Sequence, residues 1–116
     1  MATEIDRQRV KEELGRGTVV IEVLPEEEYA RLHIEGAINI PIERIGREAR
    51  ANFSPEQPLV VYCSDRDCPT SDLAAKKLET FGFNNVFEYT DGKADWEAAG
   101  EAMESGSGTA AESAAD

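Results

Sequence analysis

Apolar runs and amphipathic stretches alternate along most of the chain. Thr18–Val23 (Thr-Val-Val-Ile-Glu-Val) is a β-branched run with one charged interruption, the pattern of a strand buried on both faces. Pro25 opens a short helix over Glu26–Leu32, its first turn rich in acids that suit the positive helix end. Gly36–Pro41 predicts a second short strand ended by proline, and Glu43–Ala51 a weak helix. Pro58–Tyr62 is the clearest strand and runs straight into Cys63. After a polar loop, a helix is predicted from about Ser71 to Phe81. Ala74, Leu78 and Phe81 share one face there, and Gly82 supplies the stop. Asn85–Tyr89 is another strand, Thr90–Lys93 a turn, and Ala94–Ala99 a last helical turn or two.

Ahead of this alternation, Glu4–Leu14 predicts an amphipathic helix marked by Ile5, Val10 and Leu14 and closed by Gly15 and Gly17. Behind it the composition shifts to Ser, Gly, Ala and Glu with no aromatic residue. Three parts are therefore expected: a helical extension over residues 1–17 packed on the domain, an ordered domain over 18–100, and a disordered acidic tail over 101–116. Strands alternating with helices point to an α/β domain with a central, mainly parallel sheet flanked by helices.

Composition narrows the partners. The 116 residues suffice for one domain, and a hydrophobic content of 41% is enough for a real core. Acidic residues outnumber basic ones 24 to 12, for a net charge of −12. Nucleic acid and anionic membrane surfaces both select clustered Lys and Arg, so neither is expected as a partner. No apolar run approaches the ~20 residues of a membrane span. The N-terminus lacks the basic-then-apolar order of a secretory signal, so a cytoplasmic, monomeric protein is expected.

Cys63 and Cys68 are the two cysteines, too few for a disulfide scaffold and wrongly spaced for a zinc knuckle. With a single His in the chain, neither a metal nor another cofactor is expected. Cys63 stands where the strongest strand ends. The following Ser64, Asp65, Arg66, Asp67, Cys68, Pro69, Thr70 and Ser71 lead into a helix. In open α/β sheets, ligands sit beyond the C-terminal strand ends. A strand–loop–helix element aims N–H groups and a positive helix end at one point, which favours a thiolate or an anionic persulfide. Cys63 is thus a candidate nucleophile, against the plainer reading of a small apolar residue ending a buried strand. Cys68 reads either as a loop residue or as a resolving thiol for Cys63. Arg66 reads as an attractor of anionic substrate or as a solvated side chain. The Thr70 and Ser71 hydroxyls read as helix caps or as donors to the sulfur.

Three stretches resemble the rhodanese homology family. The first runs from Val19-Val20-Ile21-Glu22-Val23 through Glu28-Tyr29 to His33-Ile34-Glu35-Gly36-Ala37-Ile38-Asn39-Ile40-Pro41. The second is Leu59-Val60-Val61-Tyr62-Cys63. The third joins Gly82-Phe83 and Val86 to Asp91-Gly92-Lys93-Ala94-Asp95-Trp96-Glu97-Ala98-Ala99-Gly100. The resemblance covers Thr18 to Gly100 and implies a rhodanese-like fold and sulfur transfer through a persulfide on Cys63, with Ser64 to Thr70 as its cradle. It implies a small sulfur donor, thiosulfate or a persulfide, and a thiol acceptor, with a protein thiol among the candidates. His33 and Trp96 fall at scaffold and core positions.

The departures from the family pattern are informative. Its Asp-x-Arg after the first strand is here Glu22-Val23-Leu24, without the arginine, and Leu32 replaces the glycine before His33. The active loop is longer than the common one and carries the second cysteine. Asp65 and Asp67 would oppose a dianion such as thiosulfate by about 1 kcal/mol or less each when solvated. Phosphatase chemistry on related folds needs an arginine six positions after the cysteine; Pro69 and Ala74 stand there for Cys63 and Cys68. Two non-enzymatic readings remain beside sulfur transfer: a catalytically silent binding or regulatory module, and a thiol redox sensor using Cys63 and Cys68.

Overall fold

A computed structural model describes residues 2–106. Five parallel strands form the central sheet: β1 (Thr3–Ile5), β2 (Val19–Glu22), β4 (Ile38–Asn39), β5 (Leu59–Tyr62) and β6 (Val86–Tyr89), in the spatial order β1-β6-β5-β2-β4. A small antiparallel pair joins β3 (His33–Ile34) to β7 (Met103–Glu104). The helices are α1 (Arg7–Gly15), α2 (Glu26–Arg31), α3 (Ile45–Asn52), α4 (Thr70–Thr80) and α5 (Gly92–Ala98), with one 3-10 turn over Ile42–Arg44. The radius of gyration is 12.7 Å. No helix among the described residues is long and apolar enough to cross a membrane.

The period-2 alternation of β2 and β5 builds a core on each face of the sheet. Ile21, Leu59, Val61 and Cys63 pack with Ile45 and Ala49 of α3 and Ala74, Ala75 and Leu78 of α4. Val20, Val60 and Tyr62 point the other way, to Val10 of α1, Ile34, Tyr89 and Trp96 of α5. All four residues of β5 are buried, as befits the middle strand.

Four expectations change. The predicted Glu4–Leu14 helix begins only at Arg7, capped by the Asp6 carboxylate, which accepts the Arg9 N–H at 2.9 Å. The residues before it pair with β6 as an edge strand, so β1 and α1 belong to the domain's own layers. Phe81 does not join Ala74 and Leu78 in the core. It caps α4, is 38% exposed, and lies over Gly46 of α3, where a side chain would collide with its ring.

The fourth change concerns the expected tail. Its first residues are structured: Ala102 O accepts the Trp96 indole N–H at 2.8 Å and the Glu35 N–H at 3.1 Å, and β7 pairs with β3. Gly106 N donates to Ala30 O at 2.8 Å. The remainder of the expected tail lies outside the described residues.

Candidate active-site loop

Cys63 directly follows β5 at its C-terminal end and is 1% exposed. Its carbonyl accepts the Lys93 N–H at 2.9 Å, and the Ser64 carbonyl accepts the Ala94 N–H at 2.8 Å. The first turn of α5 therefore grips the chain where the loop starts. Gly92 makes this approach possible: its φ is +73°, and a Cβ there would lie 2.8 Å from Cys63 O and 3.0 Å from Asp65 N.

The loop then turns back on itself. Cys68 N–H donates to Asp65 O at 3.1 Å, and Asp67 N–H donates to Asp65 Oδ1 at 3.0 Å. Cys63 and Cys68 are joined by a disulfide, with Cα atoms 6.3 Å apart. Pro69 occupies the N-cap position of α4 and Thr70 opens the helix. Neither caps through a side chain, and the Ser71 hydroxyl donates to Glu88 Oε2 at 2.7 Å. Ser64 Oγ lies 3.9 Å from Cys63 Sγ. Arg66 does not face the sulfur. It reaches outward to Asp91 Oδ1 at 2.8 Å and Glu4 Oε2 at 3.2 Å.

Beneath the loop lies a buried polar network. Lys93 Nζ donates to Glu22 Oε2 at 2.8 Å, to Leu32 O at 2.6 Å and to Glu28 O at 3.2 Å. Glu22 Oε1 accepts the Tyr62 hydroxyl at 2.7 Å, and Tyr62 Oη in turn accepts the Ile34 N–H at 3.2 Å. Burial first, and then the Glu22 charge, push the Tyr62 phenol well above its ordinary value of 10.0 and keep it a donor. Lys93 is thus the cation that pairs with the buried Glu22 carboxylate. Nothing in the local sequence pattern marks Tyr62, Gly92 or Lys93 as site residues. Glu22 does carry a signal, since an acid inside a strand buried on both faces demands a partner. The Leu32 departure is also harmless: its φ of −169° is extended backbone that needs no glycine.

His33 stands apart from the sulfur. Its Nδ1 lies 2.7 Å from Tyr29 O and its Nε2 3.2 Å from Glu104 Oε1, while the ring stacks on Tyr29 with centroids 3.6 Å apart. A cleft of about 210 Å³ opens beside Ser64 and Asp65, between α2 and α5. Glu28, Asp65 and Glu97 give it three carboxylates against Arg31 and Lys93. Both cations are engaged, Arg31 with Glu28 and Lys93 with Glu22.

A parallel α/β sheet presenting a cysteine at the end of its middle strand, gripped by one helix and leading into another, defines the class. The chain belongs to the rhodanese-like domain family, whose model matches residues 6–99. It is 33% identical over 96 residues to the HTH-type transcriptional regulator Rv0324 of Mycobacterium tuberculosis, covering 83% of this chain and 41% of that protein. It is 27% identical over 77 residues to the putative sulfur carrier protein YrkF of Bacillus subtilis, covering 66% of this chain and 40% of that protein. The chain thus spans about 40% of the length of these curated relatives. The crystal structure of the Alr3790 protein from Anabaena superposes with a TM-score of 0.80 at 27% identity, covering 88% of this chain and 80% of that one. The domain is related to sulfur-carrier and sulfurtransferase domains.

Proposed function

We propose that this domain is a sulfurtransferase that accepts a sulfane sulfur on Cys63 and passes it to a thiol acceptor. The observation that carries the reading is the position of Cys63 at the C-terminal end of β5, in a loop that leads into α4. The reactive state is the reduced one, so a thiol reductant must first open the Cys63–Cys68 disulfide. The Cys63 thiolate then attacks the outer sulfur of a donor persulfide. The donor's sulfur–sulfur bond breaks, its thiolate leaves, and a Cys63 persulfide remains.

The carboxylates of Asp65 and Asp67 in the loop oppose thiosulfate, whose two charges sit on one small ion, more than a persulfide donor whose charges lie away from its outer sulfur. Incubation of the reduced Cys68→Ser variant, which cannot close the Cys63–Cys68 disulfide, with glutathione persulfide should add the mass of one sulfur atom to the peptide holding Cys63. Thiosulfate should load it more slowly. Absence of any gain with both donors would leave a silent module. The disulfide favours one second reading, thiol redox sensing, which operates on the same pair of cysteines and is compatible with sulfur transfer.

A further inference from the structure

Cys68 is placed to discharge Cys63 from within. The Asp65 turn returns Cys68 to the strand end through its two hydrogen bonds. Arg66, at the exposed tip of that turn, is anchored outward on Asp91 and Glu4. The result is a bonded pair in which Cys63 is buried and Cys68 half-buried, beneath exposed Asp65, Arg66 and Asp67. The inner sulfur of a Cys63 persulfide is the atom that Cys68 already reaches.

We propose that the domain also reduces its own persulfide and releases the sulfur as hydrosulfide. The step rests on Cys63 being the carrier. The Cys68 thiolate attacks Cys63 Sγ, and a Cys63–Cys68 bond forms. The bond from Cys63 Sγ to the outer sulfur breaks, and its electron pair leaves with the outer sulfur, which carries the persulfide proton away as HS⁻. The sulfane sulfur gains two electrons and the two cysteine sulfurs are oxidised to the disulfide. Attack on the outer sulfur would only move the persulfide to Cys68, from which closure by Cys63 gives the same products. A thiol reductant such as dithiothreitol reopens the disulfide for another round. Without reductant each chain releases one sulfur and stops; with a thiol acceptor at hand, external transfer competes with this internal discharge.

The test uses the full chain, reduced, freed of reductant under anaerobic conditions, loaded with glutathione persulfide and desalted. Hydrosulfide and intact mass are then followed together. The wild type should release hydrosulfide and end two hydrogens lighter than the reduced protein. Cys68→Ser should keep the added sulfur, with hydrosulfide release slower by about tenfold or more. A wild type that holds its sulfur, or a Cys68→Ser variant that releases it equally fast, overturns the proposal. The variant also separates the two readings: if Cys68→Ser gains no sulfur at all, the carrier role of Cys63 fails, and this step falls with it.

Discussion

Glu22 and Lys93 face each other across 2.8 Å in the interior, with Glu22 wholly buried and the Lys93 side chain 7% exposed. The pair ties β2 to the first turn of α5, whose Lys93 N–H also holds the Cys63 carbonyl. Removing one partner strands a buried charge at a cost of about 3–5 kcal/mol. Lys93→Met alone should therefore unfold at much lower urea. Adding Glu22→Gln should recover part of the loss, because the glutamine carbonyl still accepts the Tyr62 hydroxyl. Costs that simply add in the double variant would show that the two side chains are not energetically coupled.

Gly92 should tolerate no side chain. Gly92→Ala adds a Cβ against the Cys63 carbonyl and the Asp65 N–H at a φ that L-residues rarely adopt. The expected loss is about 1 kcal/mol or more, by thermal unfolding. The reduced variant should also alkylate at Cys63 at a changed rate, since the clash bears directly on that residue. An unchanged rate would mean that the grip of α5 on the loop does not set the reactivity of the sulfur.

The parts legible in the sequence are those whose burial follows local pattern. Leu59–Tyr62 carries its strand signal in consecutive apolar residues, and Thr70–Thr80 carries its helix in the spacing of Ala74 and Leu78. Both elements lie within a residue of the bounds their patterns predict, and Cys63 follows the strand end. Strands β1, β3 and β7 have two or three residues each, too few for any periodicity, and exist because β6 and one another supply their hydrogen bonds. Ala102-Met103-Glu104 reads as tail because its partners Glu35 and His33 are distant in sequence, and because Trp96, though near, bonds to the Ala102 backbone carbonyl, which every residue type offers. Lys93 was hidden for the same reason: only the folded chain brings it to Glu22, 71 positions away.

The docked residues after Gly100 should matter for stability. A chain ending at Gly100 loses the acceptor of the Trp96 indole, the β7 pairing and the contact of Glu104 with His33. A chain ending at Gly106 keeps them all. The shorter chain should be less stable than the longer by about 2–3 kcal/mol, most of it from the stranded Trp96 donor and the bared β3 edge. Equal urea midpoints for the two would show that β7 contributes nothing.

Glu13 should give the domain part of its acid sensitivity. Its side chain is 4% exposed and accepts from Thr18 Oγ1 at 2.6 Å, Arg9 Nε at 2.8 Å and Arg16 at 2.6 Å. The Thr18 hydrogen bond, then that of Arg9, then the charges of Arg16 and Arg9, hold its carboxyl below the ordinary 4.5 against the opposing effect of burial. A carboxylate depressed in the folded state contributes stability above its unfolded value and loses it as pH falls through the folded one. Glu13→Gln keeps an acceptor for Thr18 and removes the charge. It should cost about 1 kcal/mol at neutral pH, discounted for the exposed arginine partners. The gap to the wild type should then narrow steadily below about pH 4.5. Urea titrations of both proteins across that range measure the difference directly and cancel the other carboxylates, which titrate in both. A gap that stays constant as the pH falls would mean that the Glu13 charge contributes no stability and that only its hydrogen-bonding shape matters.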